Sequence, residues 1–367
     1  MDGDHTFRSR RYCYNFIGLL AIFFFCSMHI IRAQNTSENL FYMVDSEDSF
    51  QSFKENIDQI SIAAPQVYSI TPTGIIYGGV DSRIIKLAAE YDVKVMPLVM
   101  NPGFDRELLH TFLHDSAAKE RAITSMVKLA KKYDFYGWQF DFENIHISDR
   151  KPFTDFYRNT AKALHKEGLK LSAAVVPADT NFDIKTPYHR FLYEYWRGAY
   201  DFKALTEIGD FLSLMTYSQH TRRTPPGPVA GIPWMKQMIE YLVDKDVNLQ
   251  KISLGIPFYS THWFADYSEE RGGFANGQSV SYPKAIALID RNDAQTIWMD
   301  EQRCNYALWS QGGVFEYVFL EDAQSLKFKL DILKKYEIRG ISVWRIGQED
   351  PAVWEVFSSE KISPIRF

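Results

Sequence analysis

Two acidic side chains near the middle of the chain have the spacing of a proton-transfer pair. Residues 136–143 read Tyr-Gly-Trp-Gln-Phe-Asp-Phe-Glu. Because side chains alternate along a strand, Gln139, Asp141 and Glu143 share one face, with the two acidic β-carbons about 7 Å apart. Like charges this close in a poorly solvated site raise one pKa, so one carboxylic acid stays protonated near neutral pH. Such a group can protonate a leaving oxygen, as the cleavage of a glycosidic bond requires.

The same pair also has a purely structural interpretation. An Asp-x-Glu at a strand end can bind a neighbouring lysine or cap a helix, and the pattern alone does not decide between these roles. The other face of the strand carries three aromatic side chains, which would pack against outer helices if the strand belonged to a barrel: Trp138, Phe140 and Phe142. The elements around the strand therefore decide where the acids lie.

Short β-branched and aromatic runs alternate with longer segments of helical periodicity along the chain. The strand-like runs are Leu40–Val44, Ile60–Ile70, Val93–Met100, Tyr136–Glu143, Leu169–Val176, Phe211–Tyr217, Ile252–Tyr259 and Gly340–Ile346. The predicted helices include Asp105–Lys132, Asp155–Lys166 and Pro233–Val243. Such alternation implies parallel strands joined by helical crossovers. Eight units predict an α/β fold, a (βα)8 TIM barrel over residues 39–359; an open doubly wound sheet is disfavoured because no Gly-rich phosphate loop follows the first strand.

One interval interrupts this rhythm. Residues 261–321, between strand 7 and helix 7, are far longer than an ordinary βα loop. They contain a helical segment and three strand-like runs: Lys284–Asn292, Gln295–Met299, Tyr306–Ser310 and Val314–Phe319. We expect a small α+β insertion that rises from the C-terminal face of the barrel, where active sites lie, and walls one side of a cleft.

The N-terminus has the pattern of a secretory leader. Arg8, Arg10 and Arg11 precede an apolar run from Phe16 to Cys26, and Ala33 leads into a polar stretch. Residues 1–33 are therefore predicted to be a signal peptide, with an uncleaved N-terminal membrane anchor as the alternative. The expected location is secreted or in the cell envelope, periplasmic or extracellular.

Cysteine content and charge limit the remaining possibilities. Cys13 and Cys26 lie in the leader, so the mature chain keeps only Cys304, which we interpret as a buried structural thiol without a disulfide. The net charge of −5 offers no basic footprint, so no nucleic-acid partner is expected. We expect a monomer, with the leader as a possible membrane tether.

Several motifs, in order along the chain, resemble those of family 18 glycoside hydrolases, the chitinase and N-acetylglucosaminidase family. Residues 136–143 resemble the family's D-G-x-D-x-D-x-E signature, and Met215-Thr216-Tyr217 its M-x-Y motif. Gly255-Ile256-Pro257-Phe258-Tyr259 is similar to G-x-P-x-Y, and Val343-Trp344-Arg345 falls in strand eight. The resemblance covers residues 39–354 and is strongest to the branch of spore-cortex-lytic and related cell-wall N-acetylglucosaminidases.

The resemblance implies a role for each matched residue. Glu143 would act first as the general acid and then as the general base, and Asp141 would orient the 2-acetamido group of the sugar and stabilise its positive charge. Tyr217 would donate a hydrogen bond to the acetamido carbonyl, whose oxygen attacks the anomeric carbon in place of a protein nucleophile. The implied substrate-binding residues are Gln139, Met215, Tyr259 and Trp344. No metal or organic cofactor is implied.

Three positions depart from the family pattern. Tyr136 and Gln139 replace the first two aspartates of the signature. An amide at position 139 could hydrogen-bond Asp141 but not share a negative charge with it, which would shift the pKa of Asp141. Ser218 follows Tyr217 where many members have an acid, which leaves fine specificity open.

These observations lead to one principal hypothesis and one alternative. The principal hypothesis is a secreted enzyme that cleaves β-linked N-acetylglucosamine bonds with retention of configuration, its partner an oligo- or polysaccharide containing that sugar. Peptidoglycan, chitin-like glycans and the chitobiose core of N-glycans all stay open as substrates, as does exo or endo action. The alternative is a non-catalytic, lectin-like glycan-binding barrel.

Overall fold

In the computed structural model, parallel β-strands at eight positions close into a barrel. The structure describes residues 38–178, 186–221, 224–265, 275–360 and 362. The barrel strands are β1 (Glu38–Met43), β2 (Ile62–Ile70), β4 (Lys94–Val95), β5 (Leu98–Met100), β6 (Gly137–Asp141), β7 (Lys170–Val175), β8 (Phe211–Leu214), β9 (Ile252–Pro257) and β15 (Gly340–Trp344). The short strands β4 and β5 share the third position, and β1 pairs with both β2 and β15 to close the ring. The predicted (βα)8 barrel is confirmed.

Helices cover the outside of this barrel. They are α1 (Glu47–Glu55), α2 (Ser82–Glu90), α3 (Arg106–His114), α4 (Ser116–Tyr133), α5 (Arg150–His165), α7 (Phe202–Ile208), α8 (Ile232–Asp244), α10 (Ala323–Lys335) and α11 (Val353–Ser359). The short helix α6 (Pro187–Leu192) lies instead at the mouth of the barrel. Within the described ranges, no helix is both long enough and apolar enough to cross a membrane. The predicted leader, residues 1–33, lies outside the described residues and stays a prediction.

The single helix predicted for residues 105–132 is wrong, because the chain forms two helices there. Asp115 separates α3 from α4, and its carboxylate accepts hydrogen bonds from the amides of Ala117 and Ala118 at 2.9 and 3.1 Å. An aspartate that satisfies free amides at a helix start favours a new helix over continuation of the old one. The apolar periodicity runs through both helices and so hides the break.

A second sheet follows β9. Its antiparallel strands are β10 (Tyr259–Ala265), β11 (Ala275–Ser281), β12 (Thr296–Met299), β13 (Cys304–Gln311) and β14 (Val314–Leu320), with α9 (Tyr282–Arg291) after β11. The strand β10 begins at Tyr259, inside the run that was predicted to be barrel strand only. Cys304 is fully buried in β13, and burial raises the pKa of its thiol to about 12, so it behaves as the structural thiol expected from sequence.

The two faces of β6 differ as predicted, with aromatic side chains on the outer face and polar side chains on the inner face. On the outer face, the Trp138 indole donates to the carbonyl of Met126 in α4 at 2.9 Å, and the Phe140 ring stacks on Phe156 of α5 with centroids 5.2 Å apart. All three aromatic side chains of this face are at most 1% exposed. Their packing fixes the rotation of the strand, so the polar side chains point into the barrel.

Candidate active site

The inward face of the strand ends surrounds a cavity of about 200 Å³, here called the inner cavity. Its lining is Tyr42, Gln66, Leu98, Phe104, Asp141, Glu143, Ala174, Met215, Tyr217, Ser218, Tyr259 and Trp344. Asp141, Glu143 and Tyr217, the three predicted catalytic residues, are all among them, as are Met215, Tyr259 and Trp344 of the four predicted binding residues. The cavity is at the C-terminal end of the barrel, where the fold places its active sites.

Glu143 lies two positions beyond the end of β6, and its backbone is held by a residue of the neighbouring connection. The amide of Glu143 donates to Oδ1 of Asn101 at 3.1 Å, and Nδ2 of Asn101 donates to the carbonyl of Glu143, also at 3.1 Å. The same Nδ2 donates to the carbonyl of Asp105, and Asn101 is fully buried. These hydrogen bonds to the amide and the carbonyl fix the backbone of Glu143 in a segment that has no regular secondary structure.

Burial sets the electrostatics of the two acids. It raises the pKa of Asp141 to about 6, against one opposing hydrogen bond from Nε2 of Gln66 to Oδ2 of Asp141 at 2.8 Å. The pKa of Glu143 is raised well above its usual value, first by burial and then by the charge of Asp141. A largely enclosed carboxyl beside a second carboxylate favours its protonated form, which is the form that a general acid requires.

Tyr217 and Met215 are positioned by a loop and not, as predicted, by a strand. The strand β8 ends at Leu214, and the hydroxyl of Thr216 donates to the carbonyl of Gly255 in β9 at 2.7 Å. A Cβ on Gly255 would lie 2.3 Å from the carbonyl oxygen of Leu214 and 3.0 Å from the Tyr217 ring. The glycine is thus needed for β9 to approach this loop closely enough to hold the tyrosine.

Aromatic rings complete the inner cavity. The Trp344 ring packs against Tyr42 with centroids 5.4 Å apart, and Tyr217 meets Tyr259 edge-on at 6.4 Å. The hydroxyl of Tyr259 is 2.7 Å from Oγ of Ser218, so a tyrosine hydroxyl partners the serine that replaces the family's usual acid. Flat apolar walls with a few polar groups suit a sugar ring.

Gln139, predicted to bind substrate and considered as a partner of Asp141, does not line the inner cavity, and its side chain bonds to residues other than Asp141. It is fully buried below the cavity, and its Nε2 donates to the hydroxyls of Ser172 and Ser213 at 2.9 and 3.0 Å. The inward residues two apart on a tilted strand sit in successive layers of the barrel, so residue 139 is one layer deeper than residue 141. The side chain that does bond Asp141 is Gln66.

A second, larger cavity of about 380 Å³, here called the outer cavity, adjoins the first. It shares with the inner cavity four residues: Glu143, Met215, Tyr217 and Ser218. Its remaining wall is largely aromatic and aliphatic, and includes Tyr188, Leu192, Trp196 and Trp234. Glu143 therefore stands between two compartments that could each hold part of one extended ligand.

Sequence reasoning missed Gln66 and Asn101. Gln66 is the fifth of the nine residues of β2, on the inward face after Ile62 and Ala64, and Asn101 directly follows β5. Each is thus a polar residue at an inward position of a barrel strand or immediately beyond its end. That position is the signal that could have identified both. His220, in the loop after Tyr217, lines neither cavity, and its Nδ1 is 3.0 Å from the carbonyl of Pro225.

Comparison with known proteins decides the family. The model of "Glycosyl hydrolases family 18" matches residues 40–349, a range that includes both cavities. The chain belongs to family 18 of the glycosyl hydrolases. The family predicted from the motifs is confirmed.

Relatives of this family 18 chain include cortex-lytic enzymes and chitinases. A cortical fragment-lytic enzyme of Bacillus subtilis (strain 168) is 30% identical over 269 residues, which are 71% of this chain and 58% of the relative. The chain thus spans little more than half the length of that protein. Among solved structures, a chitinase from Chromobacterium violaceum has a TM-score of 0.77 at 25% identity, covering 88% of this chain and 98% of its own. A Bacillus cereus spore cortex-lytic enzyme has 0.79 at 24%, covering 90% and 75%, and supports the fold.

Asn101 gives a first test of how this family 18 hydrolase positions its acid. In Asn101→Ala the amide and carbonyl of Glu143 lose their partners, which should cost about 1–3 kcal/mol of stability. Displacement of the acid by even 1 Å should lower kcat about 100-fold. Turnover of a chitooligosaccharide, together with urea denaturation, measures both effects.

Asn39 supplies the matched control for that variant. It is also fully buried, accepts from the amide of Ser61 and donates to the carbonyl of Gln59, but it lies at the N-terminal end of β1. Asn39→Ala should lose similar stability and keep its kcat. Equal losses of kcat in the two variants would contradict a positioning role for Asn101.

Proposed function

We propose that this chain is an exported β-N-acetylglucosaminidase that hydrolyses peptidoglycan or chitin-like glycans with retention of configuration. The observation that carries the proposal is the place of Glu143 at the junction of two cavities, beside Asp141 and Tyr217. One sugar residue in the inner cavity and its neighbour in the outer cavity would place the bond between them next to this acid. Export is proposed from the basic and apolar pattern of residues 1–33 alone.

In the proposed mechanism, Glu143 transfers its proton to the glycosidic oxygen as the bond to the anomeric carbon breaks. The acetamido carbonyl oxygen of the sugar in the inner cavity attacks that carbon and forms a cyclic oxazolinium ion. Charged Asp141 stabilises the positive charge on this ring, and the Tyr217 hydroxyl holds the carbonyl oxygen in place. The ionised Glu143 then takes a proton from a water molecule whose oxygen bonds to the anomeric carbon. The bond from that carbon to the acetamido oxygen breaks, which opens the ring and restores the starting stereochemistry.

The acid itself argues against the lectin-like alternative. A barrel that only binds glycan has no need for a carboxyl whose burial and carboxylate neighbour keep it protonated. In this chain both features are present at Glu143. Among substrates, peptidoglycan is favoured because the relative from Bacillus subtilis is described as lytic for cortical fragments. Peptidoglycan and chitin share the β-linked N-acetylglucosamine that the mechanism requires.

Product analysis tests the proposal. Purified peptidoglycan and chitohexaose would be digested side by side, reduced with borohydride and analysed by mass spectrometry. We expect N-acetylglucosamine at every new reducing end, because the proposed enzyme cleaves the bond on the reducing side of that sugar. New reducing ends on muramic acid would contradict the assignment, and a failure to release any reducing end from either polymer would favour the lectin-like barrel.

The pH profile should be bell-shaped, with its limbs set by the two acids. The charge of Asp141 is lost as pH falls through about 6, which would reduce kcat/KM on the acid side. The proton of Glu143 is lost as pH rises through its raised pKa, which would reduce activity on the alkaline side. Rates measured across the range should show an optimum above pH 6. Activity that keeps rising well below that pH would contradict a charged Asp141.

A further inference from the structure

We propose that His110, His114 and Asp149 form a site for a divalent transition-metal ion of the zinc type, outside the catalytic cavities. Nδ1 of His110 is 2.9 Å from Oδ2 of Asp149, and Nε2 of His114 is 2.9 Å from Oδ1. One donor atom from each of the three residues can be chosen so that all lie within 4.8 Å of one another. Two imidazoles and a carboxylate are a donor set that such metals prefer.

Local structure brings these three groups together. His110 and His114 are four residues apart in α3, so both rings project from one helix face, the arrangement by which helical histidine pairs chelate zinc. Asp149 directly precedes α5 but caps none of its amides, so its carboxylate serves the two rings. The carboxylate is 2% exposed, whereas the histidine side chains are 49% and 51% exposed. A fixed buried ligand under two rings open to solvent gives a metal ion both an anchor and an entry path.

The distances from each ring nitrogen to Asp149 need little adjustment for binding, whereas the two ring nitrogens would move together from a separation of up to 4.8 Å. Zinc bonds to imidazole nitrogen and carboxylate oxygen are about 2.0–2.2 Å, so two donors on one ion lie roughly 3–3.5 Å apart. The present nitrogen–oxygen separations of 2.9 and 3.0 Å are close to that range. A metal would replace the protons that the rings now share with Asp149, and water would complete its coordination.

Binding there would cross-link two connections that already meet at the acid. The helix α3 follows β5, and Asp149 lies in the segment between Glu143 and α5. Asn101 and Asn144, which donates to the carbonyl of Phe104 at 3.1 Å, tie the same two segments nearer the cavity. The metal would add a third tie at the outer end, so its expected effect is on stability.

The test is titration of the untagged full-length chain, freed of metal with a chelator, with zinc chloride alone. Calorimetry should show one ion per chain with micromolar or tighter affinity, and zinc should raise the melting temperature. Cobalt(II) in the same site should give visible absorption. The variants His110→Gln and His114→Gln, both at half-exposed positions, should each weaken zinc binding at least tenfold and abolish the shift in melting temperature.

The matched control is His165→Gln. His165 is also a helical histidine whose Nε2 contacts a carboxylate, that of Asp210 at 2.9 Å, but it has no second histidine beside it. This variant should bind zinc like the parent chain, and Asp149→Asn should lose binding with the two histidine variants. Absence of saturable zinc binding below millimolar concentration, or unchanged affinity in His110→Gln and His114→Gln, would overturn the proposal.

Discussion

Glu143→Gln should lower kcat about 100- to 10,000-fold, the usual contribution of a positioned general acid. The amide has the size of the protonated carboxyl group but carries no transferable proton, so the leaving oxygen would depart as an alkoxide. Because Glu143 is held neutral by burial, an amide at this position should also be accepted without loss of fold. Turnover of chitohexaose, with far-ultraviolet circular dichroism as the check on folding, measures the result.

Two comparisons make this expectation specific. A nitrophenolate leaving group needs no protonation. The rate at which Glu143→Gln cleaves the bond between sugar and nitrophenolate should therefore fall less than the rate at which it cleaves the bond between two sugars. Glu167→Gln, at a surface carboxylate paired with Lys131, should retain full activity. Undiminished hydrolysis of chitohexaose by Glu143→Gln would remove the acid from the mechanism.

Asp141→Asn should lower kcat about 100- to 1,000-fold, the range seen when a group that stabilises transition-state charge is removed. The amide can still accept the hydrogen bond from Gln66 and fill the same space, but it cannot stabilise a positive charge on the acetamido group. It also removes the charge that helps to raise the pKa of Glu143. The alkaline limb of the pH profile should therefore move to lower pH, whereas the acid limb should disappear.

The same variant should gain stability at neutral pH. The folded chain raises the pKa of Asp141 from 3.8 to about 6, so it binds this proton more tightly than the unfolded chain does. The charged form of Asp141 therefore lowers the free energy of unfolding. This loss grows as pH rises between the two pKa values and stays constant above the higher one. Removing the charge should return at most about 3 kcal/mol above pH 6 and nothing well below pH 4. Urea denaturation at both pH values measures this, and equal gains at the two would be inconsistent with a buried charge.

The barrel and its acids were predictable because both depend on short-range patterns. Alternation along residues 136–143 separates the aromatic face of β6 from the polar face, and the outer helices confirm that separation at Trp138 and Phe140. The motif at 215–217 identified residues that line the inner cavity but assigned them to the wrong element, since β8 ends at Leu214. The periodicity of a strand does not indicate where its hydrogen bonding to the neighbouring strand ends.

Depth within the barrel was not predictable. Gln139 and Asp141 share a face, yet only the latter reaches the cavity, because strand tilt and register assign them to different layers. The partners of the acids, Gln66 and Asn101, come from β2 and from the segment after β5, far away in sequence. Such contacts form only when the sheet closes into a barrel. They cannot be predicted from the pattern of neighbouring residues in one sequence.

The layer beneath Asp141 has a consequence for the surroundings in which the enzyme can work. Gln139 donates to Ser172 and Ser213, and the hydroxyl of Ser342 is 2.7 Å from that of Ser213 and 2.6 Å from that of Ser253. This floor consists of neutral dipoles, and hydroxyl groups can turn to face a carboxylate or a carboxylic acid. At 0.1 M salt, dissolved ions screen the interaction between exposed charges that are more than about 10 Å apart. The ions do not enter such an interior. We therefore expect the hydrogen bonds of this layer to change little with salt concentration.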